Sequence, residues 1–317
     1  MTNRKNWTSK LTLLFETQLK SNYMKDDTSS KTAEAAAALR ALHYLYETQH
    51  IFTDPFAIKL TNKKWKLILS NRFFPQILKT TVMKPIYNAV GGQILSRGRY
   101  AEDKLESSIK RGIKQYVILG AGMDTFALRY PNLLDKIKVF EIDHPATQKT
   151  KKEKLLKIIR TLPENLVFVP ANFEKQTVSD ALLNTSFDPK KPTFFSWMGT
   201  SYYLTEKSIF ETLSSLINIA TNNSEIVFDY YINDRLLTKE GLNEINATKA
   251  FVAKRGEVFL TSFDHQELIQ KVNKIGYTLA ELAPPDIIQK LYFLNRKDKL
   301  KAAQWCSMIH LKTRKNQ

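Results

Sequence analysis

The sequence predicts an α/β protein: a doubly wound, mostly parallel seven-stranded sheet preceded by an N-terminal helical cap. Three observations carry that expectation. From Gln115 onward, short apolar runs alternate with helical stretches, the pattern of βαβ units whose strands are buried on both faces. Before Gln115 there is no strand alternation, only helix-forming composition punctuated by proline and glycine. The first apolar run ends in Gly120-Ala121-Gly122, and the second ends in two acids, Glu141 and Asp143.

The cap comes first along the chain. Ala33 to Tyr46 is an alanine-rich amphipathic stretch, and alanine loses least on entering a helix. Breaks are expected at Thr53-Asp54-Pro55, Pro75, Pro85 and Gly91-Gly92, so residues 1–112 read as a helical lid on a core of residues 113–317. In that core the expected parallel strands run from Tyr116 to Leu119, Ile137 to Ile142, Leu166 to Val169, Thr193 to Trp197 and Ile226 to Tyr230. Residues 232–262 then interrupt the rhythm and read as an insertion over the carboxyl edge, where open parallel sheets bind ligands. Asp264 has the character of an N-cap, opening a helix through about Ile275 that Gly276 ends. Two further strands, from Tyr277 to Leu282 and from Ala303 to Leu311, are expected as an antiparallel hairpin at the sheet edge with no long helix between them.

Composition narrows the class. With 317 residues, 43% hydrophobic and 11% aromatic, the chain supplies a large core, which excludes an intrinsically disordered protein. No apolar run approaches the roughly 20 residues of a membrane span, and the N-terminus lacks the apolar core and cleavage site of a secretory signal. The single Cys306 makes neither an internal disulfide nor a zinc cluster, and a cytoplasmic location suits it. A net charge of +17 attracts acidic partners. The lysines are scattered, however, with only local clusters such as Lys149-Thr150-Lys151-Lys152 and no aromatic platform, so nucleic acid is not the expected partner. His43, His50, His144, His265 and His310 show no ligand spacing; they read as local hydrogen-bond partners, and no metal is expected.

The glycine turn is where chemistry enters. Glycine lacks a Cβ and tolerates positive φ, so a strand ending in G-x-G lets the backbone approach a ligand closely. Glu141 lies 19 residues beyond Gly122 at the end of the next strand, where an acid accepts hydrogen bonds from a ribose diol. A dinucleotide fingerprint wants a third glycine three residues after the second, and this chain has Thr125 there. S-adenosylmethionine carries no pyrophosphate, so the departure favours it over a nicotinamide dinucleotide.

Leu119-Gly120-Ala121-Gly122-Met123-Asp124-Thr125 and Phe140-Glu141-Ile142-Asp143-His144-Pro145 resemble the leucine carboxyl methyltransferase family and its bacterial relatives. The likeness extends to Thr32-Ala33, Arg40 and Asp54-Pro55, to Ser96-Arg97-Gly98-Arg99-Tyr100, to Tyr203-Leu204-Thr205, and to Gly256-Glu257 with Thr261 to Asp264, and so covers most of the chain. It implies the Rossmann-like fold of class I methyltransferases and S-adenosylmethionine as methyl donor. By the same resemblance Arg97 pairs with the donor's carboxylate, a task suited to a guanidinium, with Arg99 the lesser candidate and helix-internal pairing to Glu102 or Asp103 the alternative. Gly120 and Gly122 would border the methionine moiety, Glu141 and Asp143 the ribose, and Asn172 and Phe173 the adenine. Two departures stand out: Asn172 replaces an acid, and Met198 in Met198-Gly199 stands where many relatives carry glutamate, leaving a soft apolar wall.

Methyl transfer to a carboxylate needs no base, whereas a hydroxyl acceptor wants one. Tyr203, Asp229 and Tyr230, beyond the fourth and fifth strands, are the candidates, with wall-lining or core packing as the alternative for each. The acceptor expected is a small molecule or a protein carboxylate, acidic in view of the net charge. A nicotinamide-dependent oxidoreductase and a catalytically silent S-adenosylmethionine-binding protein are the competing readings.

Overall fold

A computed structural model of the chain describes residues 30–71, 73, 87–172, 176–253 and 257–314. Pro75, Pro85, Phe173 and Gly256, singled out above, lie outside the described residues.

The N-terminal helices are α1 (Lys31–Tyr46), α2 (Ala57–Leu60), α3 (Lys63–Leu69) and α4 (Gly92–Lys110). Ser30 caps α1 by accepting from the Ala33 amide. The helix lies directly on the glycine turn at Ala33, whose methyl a Cβ placed on Gly122 would meet at 2.9 Å, while Ala35, Ala38 and Ala41 pack against Trp65, Ile68 and Leu69. Arg40, in the second half of α1, ties the helix down by pairing with buried Asp54 at 2.8 Å and donating to the Met123 carbonyl at 2.6 Å. The break at Thr53-Asp54-Pro55 is present. Gly91-Gly92 is not a break: a π-helical turn, Tyr87–Gly91, runs straight into α4. Glycine is needed at 92 for a packing reason, since a Cβ there would meet the Lys301 carbonyl oxygen at 2.1 Å.

The remaining elements follow as β1 (Gln115–Leu119), α5 (Phe126–Arg129), α6 (Pro131–Leu134), β2 (Lys138–Asp143), α7 (Pro145–Leu156), β3 (Leu166–Pro170), α8 (Val178–Leu183), β4 (Thr193–Trp197), α9 (Glu206–Ile219), β5 (Glu225–Tyr231), α10 (Lys239–Ala253), α11 (His265–Lys274), β6 (Tyr277–Ala283), α12 (Pro285–Tyr292) and β7 (Cys306–Thr313). One seven-stranded sheet has the order β3-β2-β1-β4-β5-β7-β6, parallel except for β7, which runs antiparallel to both neighbours. The last two strands pair antiparallel as the sequence indicates. They are not joined by a bare turn, however: Pro284-Pro285 sets proline at the first turn of α12, which fills the connection.

Strand alternation divides the core into two faces. Val117, Leu119, Phe140, Phe195 and Phe228 pack with α8, α9 and α11. Tyr116, Ile118, Phe194 and Val227 pack with Leu95, Tyr100 and Leu105 of α4, so α4 covers a face of the sheet. Each fully buried aromatic ring contributes on the order of 2 kcal/mol by leaving water. The strand order reverses between β1 and β4, and at such a switch point the two chain directions diverge to leave a crevice at the strand carboxyl ends. Among the described residues, no helix is long and apolar enough to cross a membrane.

Candidate active site

A cavity of about 440 Å³ opens at that switch point, floored by Gly120–Met123, bounded by Asp143, His144, Asn172 and Met198–Thr200, and covered by α1 and by Glu257 of the insertion. Gly120 and Gly122 have φ of +69° and +49°, a region unfavourable to side chains. A Cβ on Gly120 would also come within 2.8 Å of the Thr200 methyl. Beside them Thr125 is buried and accepts from the Arg129 guanidinium through its hydroxyl.

Arg97 projects from α4 into the cavity. Its Nη1 donates to Gln93 Oε1 at 3.3 Å and to the Tyr202 hydroxyl at 3.2 Å, and among the described residues no carboxylate forms an ion pair with it. Arg99, two residues on, points away to an exposed pair with Asp103 at 2.9 Å, the helix-internal alternative. Behind Arg97 stands Asp229, wholly buried, accepting from the Gly199 amide and from Gln93 Nε2, each at 2.6 Å. Burial pushes the Asp229 carboxyl up from its usual range, opposed by the nearby Arg97 charge and these hydrogen bonds.

The two acids of β2 part company. Asp143 lines the cavity and is anchored to the turn, its Oδ2 accepting from the Gly122 amide at 2.5 Å and its Oδ1 from the His144 amide at 2.7 Å. Burial raises its carboxyl despite those bonds. Glu141, expected at the ribose, is instead sealed 1% exposed inside the protein, where its Oε2 meets Lys151 Nζ of α7 at 2.5 Å. The reason is position along the strand: residues 141 and 143 share a face, but only 143, the last residue of β2, reaches the open strand end. Burial raises the Glu141 carboxyl, and the Lys151 ammonium opposes the rise.

The three base candidates are also separated. Tyr203 lines the cavity. Asp229 does not; it lies beneath, holding Gly199 and Gln93. Tyr230 projects to the opposite sheet face, where its hydroxyl meets His265 Nδ1 at 2.5 Å within the core that contains Phe263. Asn172 and Met198 both border the cavity, Met198 half-buried against the core on the α4 side. The histidines serve local bonding: His43 Nε2 accepts from the Ile51 amide, His144 Nδ1 from the Ala146 amide, and His310 pairs with Glu225 at 2.6 Å. Among the described residues, no group of three or more His, Cys, Asp or Glu is placed to hold a metal.

Sequence reasoning missed Gln93 and Thr200, and it raised Tyr202 only as a possible base, not as a partner of Arg97. Gly199 was the available signal: a glycine straight after a fourth strand marks close approach by another group, here Arg97.

The family model described as leucine carboxyl methyltransferase matches residues 33–217. A Bacillus subtilis protein named "putative S-adenosyl-L-methionine-dependent methyltransferase YktD" is 36% identical over 302 residues, 90% of this chain and 99% of that protein. A Mycobacterium tuberculosis protein of the same designation is 32% identical over 152 residues, 44% of this chain and 41% of that one. In fold, the chain is similar to a DUF574 family protein from Streptomyces avermitilis (TM-score 0.59, 11% identity, 91% of this chain and all of that one). It is likewise similar to a putative methyltransferase from Thermobifida fusca (TM-score 0.55, 12% identity, 88% of this chain and 94% of that one). On the extent of these matches, the chain belongs to the leucine carboxyl methyltransferase family.

Proposed function

We propose that the chain is an S-adenosylmethionine-dependent methyltransferase that methylates a carboxylate or hydroxyl oxygen on a small molecule or a protein terminus. The observation that carries this reading is the pairing, in one cavity, of an Arg97 guanidinium that has no carboxylate ion-pair partner among the described residues and an Asp143 carboxylate locked to the glycine turn. The residues fit the donor: Gly120 and Gly122 leave a cradle that a Cβ would fill, and Arg97 has donors to spare for a carboxylate.

S-adenosylmethionine, when bound, supplies a methyl group on a sulfonium, already electrophilic. Arg97, fixed in aim by Gln93 and Tyr202, would hold the amino-acid carboxylate. Asp143 would accept from the ribose and Asn172 would meet the adenine. Met198 offers a polarisable apolar wall, and its position leaves the acceptor to be aligned by the segment through residue 112 and by the 232–262 insertion. A carboxylate acceptor needs no proton removed. For a hydroxyl acceptor, Tyr203 is the candidate that borders the cavity, and it receives or relays the proton.

The oxidoreductase alternative has the least support, because buried Thr125 occupies the position where a pyrophosphate wants glycine. A silent binding protein would bind donor and transfer nothing. Labelled S-adenosylmethionine incubated with size-fractionated extracts separates these readings. Label in small molecules or in a defined protein supports transfer, label in macromolecules alone sinks the metabolite acceptor, and binding without transfer to any fraction supports silence.

A further inference from the structure

A second cavity of about 860 Å³ lies between α8 and α9 and meets the first through a shared wall of Gly120, Thr200, Tyr203, Leu204 and Glu257. That wall stands at the methionine end of the first cavity. Thr200 packs on Gly120 and follows Gly199, against which the Arg97 guanidinium lies, whereas Asp143 and Asn172, placed at the ribose and the adenine, line the first cavity alone. A molecule in the second cavity therefore approaches the donor from the end that carries the methyl group.

Two features of the lining bear on what that molecule is. Glu257 Oε1 accepts from the Thr32 hydroxyl at 2.6 Å, but its Oε2 is buried and has no partner among the described residues. A buried carboxylate oxygen without a donor is costly, so in a cavity wall it marks where a ligand's donor belongs. Beyond the wall the lining adds the carboxylates of Asp180 and Glu211 and, among the described residues, no Lys, Arg or His, in a chain of net charge +17. Glu211 pairs loosely with exposed Lys207 at 3.7 Å. A carboxylate acceptor would bring like charge against three acids, with no cation in the lining to hold it.

We propose that the second cavity receives the methyl acceptor, that the acceptor is a small molecule methylated on a hydroxyl, and that Glu257 Oε2 takes the hydroxyl proton. The inference rests on the S-adenosylmethionine reading above. In the step, a lone pair of the hydroxyl oxygen forms the new O–CH3 bond and the S–CH3 bond breaks with its electron pair going to sulfur. The O–H proton passes to Glu257, leaving a methyl ether, S-adenosylhomocysteine and a neutral carboxylic acid that returns its proton to water. A carboxylate is ready for this, whereas a phenol such as Tyr203 accepts a full proton only after losing its own. The Thr32 bond holds the other oxygen and so fixes the carboxylate in the wall.

The test incubates the full chain with methyl-labelled S-adenosylmethionine and the small-molecule fraction of a cell extract, then treats the product with mild alkali. A methyl ester releases its label as volatile methanol; a methyl ether keeps it. The label is expected to survive alkali. Glu257→Gln, which keeps an oxygen for Thr32 but cannot take the proton, is expected to lower transfer at least tenfold, toward the hundredfold or more that a general base supplies. Its affinity for S-adenosylhomocysteine, by calorimetric titration, is expected to stay within threefold of wild type. Thr212→Arg, which crowds the second cavity from α9, is expected to lower transfer at least tenfold with the same unchanged affinity. Alkali-labile label, a smaller loss in either variant, or no label in small molecules from a wild-type protein that binds S-adenosylhomocysteine overturns the inference and leaves the donor reading intact. Failure of the wild-type protein to bind S-adenosylhomocysteine overturns the donor reading itself.

Discussion

The guanidinium of Arg97 occupies the space that a side chain on Gly199 would take: a Cβ built on Gly199 would meet Arg97 Nη1 at 2.0 Å. Gly199 has φ of +80°, and its amide is held by buried Asp229 at 2.6 Å, so the backbone is fixed where the arginine needs it empty.

Gly199→Ala should therefore displace Arg97 and also strain the turn. The expected outcome is a loss of at least tenfold in S-adenosylhomocysteine affinity, about 1.4 kcal/mol or more, with stability lowered by roughly 1–3 kcal/mol. Calorimetric titration and thermal melting check both. Unchanged affinity in a folded variant would separate Arg97 from the ligand.

Asp229 lies behind the cavity wall holding Gly199 and Gln93, which suits a positioning role in the proposed function. Asp229→Ala strands the Gly199 amide, which should cost about 1–3 kcal/mol, leaves Gln93 Nε2 with only the Tyr202 hydroxyl, and should weaken ligand binding through Arg97. Asp229→Asn keeps an acceptor for the Gly199 amide and should hold affinity within about fivefold of wild type. If Asp229→Asn binds normally yet loses transfer by several orders of magnitude, Asp229 is acting on the acceptor and the assignment is wrong.

The Glu141–Lys151 pair belongs to the core. Lys151→Met leaves a buried carboxylate without its cation and should destabilise by about 3–5 kcal/mol, while Glu141→Leu combined with Lys151→Met should regain most of that. Glu141→Gln, followed by titration, should leave S-adenosylhomocysteine affinity within twofold. A tenfold loss would return Glu141 to the ribose.

Acid stability should depend on Glu225. Burial alone would raise its carboxyl, but hydrogen bonds from His310, Arg111 and Ser108 hold it down to about 2, below the ordinary 4.5. A carboxyl depressed in the folded state stabilises above its unfolded value and loses that contribution as pH falls toward the folded one. The loss, on the order of 3 kcal/mol, should therefore fall between pH 4.5 and about 2. Urea unfolding across that window should show a shallower acid limb in Glu225→Gln than in the wild-type protein; identical limbs would remove Glu225 from the account.

The fold was legible because parallel strands are buried on both faces and announce themselves as apolar runs; β1, β2 and β4 lie within two residues of where those runs begin and end. The connection between β6 and β7 was less so, since an eight-residue helix such as α12 is too short for its period to stand out. In the site, glycines and strand ends were readable because backbone conformation is local. Which of Glu141 and Asp143 reaches the cavity, or whether Asp229 and Tyr230 face it, depends on where a strand stops and on which face each residue occupies, and neither is written in residue type. Glu257 entered through family likeness alone, its contact with Thr32 spanning 225 residues of chain.

The most direct measurement is calorimetric titration of S-adenosylhomocysteine and NADH into the wild-type protein and into Arg97→Ala. The account predicts binding of S-adenosylhomocysteine but not NADH, with the affinity for S-adenosylhomocysteine falling at least tenfold in Arg97→Ala. Binding of NADH instead, or an affinity for S-adenosylhomocysteine indifferent to Arg97, would contradict it.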